Sequence, residues 1–111
     1  MSNDVELLKT KNKQIGEAES SADHKWLAGV LAPELASFRA DGKTFDDAGR
    51  FLQKLAASSP RITDVQSVEI LGTRAIVKCV VTQDGRKYHT LRLFVRYEGN
   101  WLLLAWANEP L

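Results

Sequence analysis

The chain is poor in the residues that commit a protein to specialised chemistry. Among 111 residues there is one cysteine, Cys79, so no internal disulfide can form, and there are two histidines, His24 and His89. No His-x-x-x-His, Cys-x-x-Cys or His-x-Glu spacing occurs, so no metal site is expected. The seven glycines stand singly, mostly at turns, and build no phosphate-cradling loop. A net charge of +1 gives no electrostatic case for nucleic acid or an acidic membrane as partner. No stretch approaches the ~20 apolar residues of a membrane span. The opening Met-Ser-Asn-Asp-Val-Glu has neither the positive nor the apolar segment of a secretion signal. The expectation is a soluble, cytoplasmic protein, in which a lone thiol stays reduced. No cofactor is implied.

What is present is an ordinary globular composition, 44% hydrophobic and 26% charged, enough for one domain spanning 1–111 with a real core. The first sixty residues carry helical pattern. Val5, Leu8, Ile15 and Ala18 form a thin stripe over 3–19, which suits a helix on an edge. Ser20-Ser21 offers an N-cap for a second helix presenting Trp26, Leu27, Val30 and Leu31, with Asp23 in its first turn and Pro33 ending it. Leu35 to Ala40 reads as a short strand and Asp41-Gly42 as a turn. Thr44 is placed to cap a third helix whose apolar face is Ala48, Phe51, Leu52, Leu55 and Ala56.

From Arg61 to Glu109, β-favouring residues run between the turn pairs Gly72-Thr73, Asp84-Gly85 and Gly99-Asn100. Helices followed by an antiparallel meander make an α+β layout: a conical barrel of a curved sheet, four meander strands plus the short N-terminal one, with three helices covering the concave face. Turn length fixes register. A two-residue turn at Gly72-Thr73 pairs Ile70 with Ala75, Val68 with Val77, Gln66 with Cys79 and Asp64 with Val81. A two-residue turn at Asp84-Gly85 sets Lys78 opposite Leu91. A three-residue loop over Gln83 to Gly85 instead pairs Val77 with Leu91 and Cys79 with His89, and is preferred because it keeps a lysine out of the core. A turn at Gly99-Asn100 pairs Leu93 with Trp106 and Leu91 with Asn108. The helix-facing core is then Val68, Ile70, Val77, Cys79, Leu91, Leu93, Val95, Leu104 and Trp106, turning polar at one end with Asp64, Gln66, His89 and Asn108. The other face holds Ile76, Val80, Phe94, Leu103, Ala105 and Ala107, interspersed with Lys78, Arg92, Arg96 and Glu109. It is too apolar to stay wet, which points to a homodimer through that outer face.

Helix, helix, short strand, turn, helix and a four-strand meander resemble the nuclear transport factor two-like superfamily, which includes ketosteroid isomerase, scytalone dehydratase and polyketide cyclases. Leu-Ala-Pro-Glu-Leu-Ala-Ser-Phe-Arg-Ala-Asp-Gly (31–42), Leu-Arg-Leu-Phe-Val-Arg (91–96) and Trp-Leu-Leu-Leu-Ala-Trp-Ala-Asn-Glu-Pro (101–110) are similar to an uncharacterised bacterial branch of it. The resemblance spans nearly the whole chain. It implies a cone with a pocket between sheet and helices, and a dimer packed through the sheet. It does not imply one activity, because the fold hosts binders and enzymes alike. The isomerases' carboxylate, tyrosine and protonated acid find no match: Tyr88 is read onto the outer face and Tyr97 beside a turn. Asp64 and His89 imitate part of the dehydratases' histidine and aspartate set.

His89 is the candidate acid or base, since an imidazole titrates near ~6.5. With Asp64 it forms the catalytic pair of an isomerase-, dehydratase- or cyclase-type enzyme; equally it is a strand-end histidine bonded to a neighbour. Gln66 and Asn108 are orienting groups, or else satisfy backbone at a strand end. Cys79 is a ligand contact, a nucleophile only if a partner lowers its thiol pKa, or an inert core thiol. Trp26, Phe38, Phe51 and Trp106 wall a mainly apolar pocket for a flat apolar small molecule, or are plain core. A filled-core interaction module is the third reading.

Overall fold

The computed structural model describes residues 3–111, with helices α1 (Asp4–Ser21), α2 (His24–Ala28) and α3 (Ala48–Lys54). The strands are β1 (Leu31–Phe38), β2 (Phe45–Asp47), β3 (Ile62–Leu71), β4 (Arg74–Gln83), β5 (Arg86–Tyr97) and β6 (Asn100–Pro110). They form one curved, unclosed sheet in the order β2-β1-β6-β5-β4-β3. All neighbours are antiparallel except β1 and β6, which run parallel. The α+β class stands. The strand count rises to six, because residues 45–47 form a strand where the sequence suggested helix, and one pairing is parallel.

Local chemistry sets the helix ends. Ala22 takes a left-handed φ of 56° and stops α1, and the Asp23 amide reaches back to the Ala18 carbonyl at 2.9 Å. Asp23, rather than Ser20 or Ser21, caps α2 by accepting from the Trp26 amide. Asp47, rather than Thr44, caps α3 by accepting from the Arg50 amide. Pro33 does not end a helix but sits within β1, in the irregular stretch between the Leu31 and Ala36 pairings with β6. There a missing N–H costs no ladder bond. α1 lies across β3 and β4. It comes closest at Gly16, where a β-carbon would stand 3.2 Å from Thr63 Oγ1.

The concave face carries the core. Leu8 and Ile15 of α1, Leu27 of α2 and Phe51 of α3 pack on Ala75, Val77, Phe94, Trp101, Leu103 and Trp106. Phe51 meets Trp106 edge-on with ring centroids 4.9 Å apart. The convex face leaves Phe38, Phe45, Ile76 and Leu91 exposed, Phe38 by 60%. Phe38 and Phe45 stack edge-to-face at 5.6 Å.

The register departs from expectation at three places. Ile70–Ala75 and Val68–Val77 pair as anticipated. The ladder then shifts between Val65 and Ser67, so Val65 opposes Cys79 and Asp64 opposes Val80. Gln66 is the extra residue of a bulge. The β4–β5 turn has two residues, not three: Asp84 and Gly85 both have positive φ, 53° and 75°, the signature of a type I′ hairpin. Lys78 therefore does oppose Leu91, Cys79 opposes Thr90 and Val80 opposes His89. The third turn is Glu98-Gly99, again with both φ positive, 48° and 82°. A bulge at Leu104 follows, pairing Arg92 with Trp106 and Thr90 with Asn108. The consequence is a parity change in β5. Thr90, Arg92 and Phe94 face the helices, and Leu91 and Leu93 face outward. Phe94 and Leu103, expected on the outer face, are fully buried in the core.

Candidate functional site

That parity change places an arginine under α1. Arg92 is only 4% exposed. A buried guanidinium is tolerable when its donors are met and its charge is paired. Here Nη1 donates to Asn12 Oδ1 at 2.9 Å and Nη2 to Glu19 Oε1 at 3.1 Å. Asn12 and Glu19 reach it because they lie on the buried stripe of α1, at helical spacing from Leu8 and Ile15. Asn12 is itself buried and points Nδ2 at Cys79 Sγ, 3.6 Å away. Glu19 is shared with Arg61, whose Nη2 lies 3.8 Å from Oε2. Arg61 also donates to Ser20 Oγ at 2.7 Å, fastening the segment before β3 to the end of α1.

Beside this network opens a cleft of about 240 Å³. Its floor is sheet: Val81, Tyr88, Thr90, Arg92, Trp106 and Asn108. Glu19, Phe51 and Arg61 wall it from the helix side, and Arg39 and Ala40 come from the end of β1. Arg39 is half-exposed and makes one long contact, 3.5 Å from Nη1 to Asp46 Oδ2. Asp46 is fully buried and takes a second cation, Lys54, at 2.8 Å. Burial pushes the Asp46 carboxyl up, but the hydrogen bonds and charges of Lys54 and Arg39 outweigh this and hold it below the usual value. Among the described residues three buried side-chain polar atoms have no partner: Arg92 Nε, Trp101 Nε1 and Asn108 Oδ1. Arg92 and Asn108 both line this cleft.

The anticipated site residues do not assemble. Of that set, Phe51, Trp106 and Asn108 line the cleft. His89 pairs with Val80 and Glu109, one position out of phase with Thr90 and Asn108, so it belongs to the convex face. Asp64 follows Val80 to the same face and is exposed, and Gln66 is the exposed bulge residue. Cys79 is fully buried under α1, out of the cleft. Phe38 is exposed on the convex face, because its neighbour Ser37 is the inward residue of β1. Trp26 lines a separate shallow depression with Asp23, Lys25, Gly29 and Val30. Tyr88, expected outside, is inside. The pocket is therefore polar and cationic where an apolar one was expected. Arg92, Glu19 and Asn12 were missed. The available signal was a helical stripe, Leu8-Asn12-Ile15-Glu19, with a polar residue at alternate positions, which calls for a polar partner in the facing sheet.

No protein-family model matches the chain, and no curated protein matches it either. Solved structures do. The fold is that of NTF2-like proteins, shared over the whole chain with an NTF2-like protein from Cytophaga hutchinsonii at TM-score 0.84 and 15% identity, covering 100% of both chains. A provisionally assigned dehydratase of the NTF2-like family from Streptomyces avermitilis matches at TM-score 0.81 and 19% identity, over 97% of this chain and 96% of its own. The CamKII hub homology domain of Chlamydamonas reinhardtii matches at TM-score 0.74 and 12% identity, over 100% and 99%. Among the described residues, no helix is long and apolar enough to cross a membrane.

Proposed function

We propose that the chain is one small-molecule-binding domain whose site is the cleft on the concave face, at Thr90, Arg92, Trp106 and Asn108. The observation that carries this reading is that two of the cleft-lining residues each hold a buried, unpartnered atom, Arg92 Nε and Asn108 Oδ1. Buried polar groups are nearly always satisfied, so an unmet donor and an unmet acceptor on two residues lining one cleft favour a ligand that both accepts and donates, reached by a small movement of those side chains. A hydroxyl or an amide does both. At about 240 Å³ the cleft falls below the ~300–1,000 Å³ of sites for drug-sized ligands, which suits a small metabolite. A cytoplasmic setting accords with the single thiol.

The test is a fragment screen read by amide and indole resonances. Fragments bearing a hydroxyl or amide shift Thr90, Trp106 and Asn108 together, and Asn108→Leu abolishes the response while the remaining spectrum is retained. If no fragment moves those three positions, the reading is wrong.

An isomerase- or dehydratase-type enzyme is the second reading, favoured by the dehydratase among the structural neighbours. Its acid–base group would come from Tyr88 or Glu19, which line the cleft, and not from His89. In either case we propose that the convex face mates with a second copy. Its exposed Phe38, Phe45, Ile76 and Leu91 support this, as does the hub domain among the neighbours.

A further inference from the structure

Four cations and two carboxylates meet in and beside the cleft. Glu19 is shared by Arg61 and Arg92, and Asp46 is shared by Arg39 and Lys54. Each carboxylate is thus already saturated by two partners. The cations are not, and the surplus falls on the cleft, which three of them line. They stand at graded depth, Arg92 with 5% of its side chain exposed, Arg61 with 20% and Arg39 with 50%. Arg39 has the least to hold it: one contact at the limit of hydrogen-bonding distance, with the rest of a five-donor fork open. Phe51 and Trp106, an edge-on aromatic pair, line the same cleft.

Resting on the reading of this cleft as a ligand site, we propose that its ligand class is a small organic anion with a flat body. The ligand is a monocarboxylate whose charged end is received by Arg39 at the rim, backed by Arg61. Its ring or conjugated plane lies against Trp106. Its far end carries a hydroxyl or amide toward Arg92 and Asn108, which line the cleft and each hold a buried unpartnered polar atom. A carboxylate matches a guanidinium fork in geometry and charge, and such charge-assisted bonds are about twice as strong as neutral ones. A neutral ligand of the same shape leaves the surplus charge uncompensated.

The experiment titrates the intact protein with 4-hydroxybenzoate, benzoate and cinnamate, and with 4-hydroxybenzamide as the neutral isostere, following the Trp106 indole and the Thr90 and Asn108 resonances. The hydroxybenzoate is expected to bind about tenfold more tightly than the hydroxybenzamide, and to weaken as salt is raised, because Arg39 is half in water. Arg39→Gln, at a half-exposed position whose loss leaves Asp46 paired to Lys54, is expected to erase that tenfold preference. Equal binding of acid and amide at these resonances would overturn the anion assignment while leaving the cleft as a ligand site. If neither acids nor amide shift these resonances at millimolar concentration, both proposals fall. A preference for the acid that survives Arg39→Gln would show that the anion is received elsewhere and would refute the assignment.

Discussion

The two faces of the sheet are cut from the same strands, yet they sort their residues against the usual rule. The face against the helices buries a guanidinium; the face turned away from them exposes Phe38, Phe45, Ile76 and Leu91. The difference lies in what each face is offered. α1 brings Asn12 and Glu19 to the concave face, so Arg92 finds two partners for its terminal nitrogens and its aliphatic stem packs as apolar surface. Among the described residues no element covers the convex face, so Phe38 and Phe45 meet edge-on yet stay exposed, as do Ile76 and Leu91. Burial of a charge is decided by its partners, and exposure of an apolar group by the absence of a cover.

This contrast can be broken from the concave side first. Trp106→Ala is expected to cost about 3–5 kcal/mol in chemical denaturation, the range for deleting a buried large aromatic. It also removes the edge contact to Phe51. A loss under about 1 kcal/mol would place Trp106 on the other face. Glu19→Ala strands Arg92 with its charge uncompensated and should cost about 3 kcal/mol, at the low end for a broken buried pair because Glu19 keeps some exposure. If Glu19→Ala is neutral, Arg92 is not buried by virtue of its pairing.

A smaller effect concerns Asp46. Its folded carboxyl titrates below the ordinary 3.8, so its contribution is complete above about pH 4 and is lost as pH falls through the lower folded value. Asp46→Asn should cost about 1 kcal/mol at neutral pH, since Lys54 and Arg39 are half in water. It should also flatten the acid limb of the stability curve below pH 4. An unchanged acid limb would mean the carboxyl is unperturbed. On the convex side, Ala105→Glu should change stability by less than about 0.5 kcal/mol, yet convert a dimer into a monomer in sedimentation. A wild-type chain that sediments as a monomer at high micromolar concentration would remove the proposed mating face.

The layout of the fold was legible because turns announce themselves: Gly72-Thr73 and Asp84-Gly85 sit where the sequence puts them, and the α+β order follows. The candidate site was much less so. Face assignment along β5 depends on the length of the Asp84-Gly85 turn, and the cost of burying Lys78 argues for the longer loop. The premise was sound, but Lys78 lies on the convex face in water, and it was Arg92 that went inside. The bulges at Gln66 and Leu104 carry no local signature in residue type, so they displaced Asp64 and Leu104 from their expected roles without warning. Trp106 and Asn108 kept their face only because the turn shift and the bulge in β5–β6 partly compensate.

Those bulges separate two properties that strands usually hold together. Remove Gln66, and Val65 and Ser67 would still point to opposite sides; remove Leu104, and so would Leu103 and Ala105. Every other side chain keeps its face, while the bend that the extra residue imposes is relaxed. Length at these two points is therefore a dial for the curvature of the sheet rather than for the composition of its core. A one-residue deletion at Gln66 or Leu104 is expected to relax the bend of the sheet at that point while leaving the hydrophobic interior in place.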